Sequence, residues 1–112
     1  MAKLESYALL EDDLKKIYLE FYKESYRDRG ALTKKDKELI AIGVSLATGC
    51  KHCLEGHLRK ARKHGATRRE ISETLAVAVG VAAATMVDRS DIANYNLAAE
   101  EEKRRAHLRR AG

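Results

Sequence analysis

Among 112 residues the chain has no proline, tryptophan or glutamine, one phenylalanine, two asparagines and two cysteines. Each scarcity narrows the reading. Without proline, nothing forces a break inside a helical pattern. Few amides beside abundant Lys, Glu and Arg is the usage expected of a heat-adapted chain. The longest apolar run, Leu75 to Val87, falls short of the ~20 residues that cross a bilayer, so no membrane partner is expected. The start, Met-Ala-Lys-Leu-Glu-Ser, is polar and lacks the apolar core of a secretory signal. A cytoplasmic protein is therefore expected. In that reducing compartment a close cysteine pair is more often catalytic or metal-binding than structural.

What is present is charge. Charged residues reach 35% against a usual ~25%, while hydrophobic residues stand at 45%. The length suits one domain spanning 1–112, with room for a single core. The net charge of +5 comes from 22 basic and 17 acidic residues. The bases gather at Arg59 to Arg69 and at Lys103 to Arg110. Such patches attract phosphate backbones, but here they sit on helical faces interspersed with glutamate. Lacking a recognition motif, they predict no nucleic-acid partner.

Every segment reads helical. Leu10, Leu14, Ile17 and Phe21 keep the spacing of an amphipathic helix closed by Gly30, with Tyr18, Tyr22 and Tyr26 on an adjoining stripe. Such a stripe could line a pocket, but aromatics at that spacing are expected rather to fill a core or a subunit contact. Thr33 caps a second helix through Glu38 that stops near Gly49, and a third runs from Cys50 to Gly65. Thr67 to Glu70 is a capping box for a fourth helix, apolar nearly all round to about Val87. Ser90 or Asp91 begins a fifth. The prediction is a compact all-α bundle of about five helices. One of them needs burial on most sides, so self-association into a symmetric homo-oligomer is expected.

The chemistry lies in Glu38, Cys50, Cys53 and His57. Positions i, i+3 and i+7 share a helix face, so Cys50, Cys53 and His57 form one stripe. Glu38 lies about ten residues, or ~15 Å of helix, before the turn that precedes Cys50. His57 lies ~10 Å beyond that turn, so an antiparallel hairpin brings the two together. A carboxylate there orients the imidazole and raises its basicity, and the imidazole takes a thiol proton. Cys50 has the helix N-terminus to favour its thiolate, whereas Cys53 is one turn from the base. Spacing leaves the attacking sulfur open. A disulfide across one turn closes too small a loop to serve stability.

The pattern Glu38-x11-Cys50-x2-Cys53-x3-His57 resembles the signature of alkylhydroperoxidase D-like proteins in the carboxymuconolactone decarboxylase family. The similarity covers about residues 32–87, the apolar helix before Cys50 and the alanine-rich helix after Thr67 included. It implies an all-helical fold, assembly as trimers or hexamers, and thiol-dependent peroxidase activity without cofactor or metal. By that resemblance Cys53 is the peroxidatic sulfur, Cys50 the resolving one, Glu38 and His57 a proton relay through water, and His52 the edge of the site. It further implies a peroxide substrate and an external, lipoyl-type dithiol as reductant. The decarboxylases that name the family do not rely on such a cysteine pair.

Two alternatives come from other classes. Glu38, Cys50, Cys53 and His57 are all competent zinc ligands, but three of them span ~10 Å along one helix, whereas each must come within about 2.3 Å of one ion. A basic helical binding protein with incidental cysteines is the other. A c-type haem attachment needs His directly after the second Cys, and position 54 is Leu.

Overall fold

The computed structural model describes residues 7–112; the polar stretch 1–6, read above for a leader, lies outside the described residues. Four helices follow in order: α1 (Asp12–Tyr26), α2 (Lys34–Thr48), α3 (Lys51–Lys63) and α4 (Arg68–Ala111). The described residues contain no strand.

The centre is a helical hairpin of α2 and α3, with the start of α4 across α2. The hairpin turn is set locally. Gly49 takes the left-handed conformation (φ 76°), and its N–H reaches back to the Ser45 and Leu46 carbonyls. The next N–H, on Cys50, bonds the Ser45 carbonyl at 3.0 Å. The second helix starts on the capping box read from Thr33 and Asp36: the Asp36 N–H donates to Thr33 Oγ1 at 3.1 Å and the Thr33 N–H to Asp36 Oδ2 at 3.0 Å. Thr67 and Glu70 cap α4 in the same way.

Ile42 and Ala61 are completely buried, with Ala41 and Ile71 nearly so. Leu39, Leu54, Leu58 and Ala66 pack around them. This small core joins α2, α3 and the first turns of α4. Lys35 Nζ binds Glu70 Oε2 at 2.8 Å and ties the starts of α2 and α4. That ammonium, and then the Thr67 N–H, hold the Glu70 carboxyl down to about 2 from its ordinary 4.5. A lowered carboxyl pKa contributes stability above pH ~4.5 that is lost as pH falls toward 2. Glu70→Gln is accordingly expected to melt below the parent at neutral pH. The gap should close between pH 4.5 and 2 in thermal melts, and a constant gap would contradict the assignment.

Several expectations need correction. The fourth and fifth helices are one helix of 44 residues, about 66 Å long. The Ser90 hydroxyl donates to the Val87 carbonyl at 2.7 Å, inside the same helix, instead of capping a new one. The shape is extended, not compact: the radius of gyration is 22.4 Å over 71 × 40 × 35 Å, against ~13 Å for a globular domain of 100 residues. The first helix ends at Tyr26, and Gly30 takes its left-handed turn in the following loop.

Beyond its first turns, the apolar part of α4 is left largely uncovered by the described residues. Val77, Val79, Val81, Met86 and Val87 are each more than half exposed. By length and apolar composition alone, α4 meets the requirements of a membrane-crossing helix. The run Leu75 to Val87 gives only about 20 Å of helix against a ~30 Å hydrocarbon layer, and Asp88 and Arg89 follow it directly.

Candidate active site

Glu38 belongs to the buried stripe of α2 with Ile42 and Ser45, and His57 to the buried stripe of α3 with Ala61. The antiparallel hairpin sets the two side by side. His57 Nδ1–H donates to Glu38 Oε2 at 2.7 Å, with the residues 7% and 5% exposed. A carboxylate on Nδ1 sets the tautomer that leaves a lone pair on Nε2. No buried side-chain nitrogen or oxygen among the described residues lacks a partner.

Cys50 and Cys53 are joined as a disulfide, their Cα atoms 5.3 Å apart. Cys50 is the N-cap of α3, and its sulfur accepts the Cys53 N–H at 3.3 Å. Both sulfurs therefore sit at the helix terminus, where free N–H groups and the dipole favour a thiolate after reduction. The pair and His57 line one cleft of about 430 Å³ between α1 and the hairpin. His52 is exposed and does not line it.

The rest of the site comes from α1. Tyr22 and Tyr26 place their hydroxyls each 3.5 Å from His57 Nε2, and the Tyr26 ring stacks on the imidazole with centroids 5.7 Å apart and planes 12° apart. Tyr18 and Tyr7 continue the row toward the surface. Within the chain these tyrosines do not fill a core: they line the cleft, the alternative weighed for them, while Ile17 and Phe21 of the apolar stripe are exposed. The sequence shows the tyrosine stripe beside the apolar one of Leu10, Leu14, Ile17 and Phe21, without indicating which of the two faces inward. Burial first, then a hydrogen bond with Tyr22 and charges including that of Glu38, raises the Tyr26 hydroxyl above its ordinary 10.0. It stays protonated across the physiological range.

For the zinc alternative, no three His, Cys, Asp or Glu side chains among the described residues are grouped to hold a metal ion.

The sequence profile of the carboxymuconolactone decarboxylase family matches residues 12–90. The chain belongs to that family. Within it the kinship is with the alkylhydroperoxidase D-like members. A stretch of 49 residues is 47% identical to the alkyl hydroperoxide reductase AhpD of Nocardia farcinica, covering 44% of this chain and 27% of that one. The AhpD of Hyphomonas neptunium is 39% identical over 67 residues, 60% of this chain and 36% of its own. An uncharacterized protein of the cox locus of Paracoccus denitrificans is 49% identical over 49 residues, 44% of each chain. The matched stretches thus span less than half of these curated relatives.

Two solved structures share the fold. A carboxymuconolactone decarboxylase family protein of Legionella pneumophila aligns with TM-score 0.57 at 38% identity, over 62% of this chain and 61% of that one. A protein of Methanobacterium thermoautotrophicum aligns with TM-score 0.62 at 28% identity, over 73% and 92%.

Proposed function

We propose that this family member is a thiol-dependent peroxidase that reduces alkyl hydroperoxides through the Cys50–Cys53 dithiol. The observation that carries the reading is the buried Glu38–His57 pair, whose imidazole lines the same cleft as the two sulfurs. A buried carboxylate–imidazole pair is costly to maintain, and beside a cysteine pair it serves to deprotonate a thiol.

The reaction runs in three steps. His57, oriented by Glu38, accepts the Cys53 proton, and the thiolate attacks the terminal oxygen of the hydroperoxide. The O–O bond breaks; the sulfur loses two electrons to become sulfenic acid, and the alkoxide leaves as alcohol with the relay's proton. Cys50 then displaces hydroxide, which leaves as water, and the disulfide forms. An external dithiol of the lipoyl type reduces it by exchange, becoming a disulfide itself. Hydroperoxide and dithiol thus become alcohol, water and disulfide.

The reading places the protein in the cytosol, where such a reductant is maintained. It includes self-association into a trimer or hexamer. An apolar cleft of about 750 Å³ between α2 and α4, walled by Ile40, Val44, Val77 and Val81, would be covered by a second copy.

Intact mass and thiol titration test the reaction. One equivalent of alkyl hydroperoxide added to reduced protein is expected to remove two thiols and about two mass units per chain. Thiols that stay unreactive would refute the peroxidase. Light scattering on the same sample should give a multiple of 12.5 kDa, and a monomer would remove the oligomer from the reading.

A further inference from the structure

We infer that the Tyr22 and Tyr26 hydroxyls complete the relay, carrying the thiol proton to His57 Nε2 in a chain of Cys53, tyrosine, His57 and Glu38. The inference rests on the redox reading of the cysteine pair and deepens it. Three observations support it. The Nε2 lone pair, left free by Glu38 on Nδ1, faces two hydroxyls at 3.5 Å, the outer limit of a hydrogen bond. Catalytic hydrogen bonds of this kind tighten when the reacting complex forms. The tyrosines stand at i and i+4 on α1, so both reach one point, and Tyr26 also fixes the imidazole plane by stacking. Both also line the cleft that holds Cys50, Cys53 and His57, so the relay needs no group from outside that cleft.

One lone pair accepts one donor. The second hydroxyl therefore serves the first, from a ring packed beside it with centroids 4.9 Å apart. A phenol both donates and accepts, so it passes a proton without changing its own charge. The Cys53 S–H bond breaks as its proton moves to the tyrosine oxygen, while that tyrosine's own proton moves to Nε2. The products are a thiolate and an imidazolium held by the Glu38 carboxylate, with no electron transferred. The regenerated tyrosine O–H then donates to the thiolate. When a dithiol reduces the disulfide, the same path run backwards protonates the leaving sulfur.

The test reads thiolate formation without any peroxide. The rate of Cys53 alkylation by iodoacetamide is followed against pH in full-length, reduced Cys50→Ser protein, with and without Tyr22→Phe and Tyr26→Phe together. The phenylalanines keep the rings and remove only the hydroxyls. The pH at which Cys53 titrates is expected to rise by about one unit, cutting alkylation near neutrality about tenfold with the high-pH plateau unchanged. Each single variant should shift it less, because the remaining hydroxyl takes over. Those single variants carry the test should the double variant lose its helicity. Tyr18→Phe, whose hydroxyl bonds Tyr7 and not His57, should leave the profile in place. Overlapping profiles for the parent and the tyrosine variants would overturn the inference, as would an equal shift from Tyr18→Phe. Should hydroperoxide turnover be absent while the tyrosine shift is present, the peroxidase reading fails and the relay stands.

Discussion

Replacing Cys53 with serine is expected to abolish hydroperoxide turnover while leaving helicity and melting temperature near those of the parent. The hydroxyl of serine is far less acidic than a thiol and does not reduce an O–O bond, so no sulfenic acid forms. The fold should tolerate the change because Cys53 is half-buried at a helix start, outside the buried core around Ile42 and Ala61. Cys50→Ser gives the contrast. It keeps the first attack and stalls afterwards, so one equivalent of peroxide should add a single oxygen to the chain mass. Full turnover in Cys53→Ser would remove the mechanism; an oxygen adduct on Cys53→Ser but not on Cys50→Ser would exchange the roles of the two sulfurs.

The second large effect belongs to Glu38→Gln. Glutamine occupies the same space but can present an amide N–H to Nδ1. The imidazole then carries its proton on Nε2 and has no lone pair toward the cleft. Peroxide reduction at neutral pH is expected to fall by about 10²- to 10⁴-fold, the usual worth of a positioned base. Raising the pH should restore much of the rate, because hydroxide then forms the thiolate that His57 cannot. A purely structural role for Glu38 predicts a loss that follows the melting temperature instead and is not rescued by base. His57→Gln should match Glu38→Gln in its pH profile, since both end the same proton transfer.

The hairpin carrying these residues was legible in the chain because its determinants are local. Capping by Thr33 and the stop near Gly49, where the structure has a left-handed turn, need only helix geometry. The ~15 Å and ~10 Å distances from the turn align Glu38 with His57 once the two helices run antiparallel. The end of the fourth helix was misread because Ser90 is equally at home as a cap or bonded to the carbonyl three residues back.

By itself, then, the sequence determined the helical class, the turn after Gly49 and the alignment of Glu38 with His57, all consequences of short-range backbone geometry. Only the tertiary structure decided which face of α1 meets the hairpin. The apolar and tyrosine stripes are adjacent on that helix, and periodicity is blind to which of them turns inward. The choice went to the tyrosines because their rings pack beside the imidazole while their hydroxyls reach Nε2, a match in shape and polarity that exists only across 31 and 35 residues of chain.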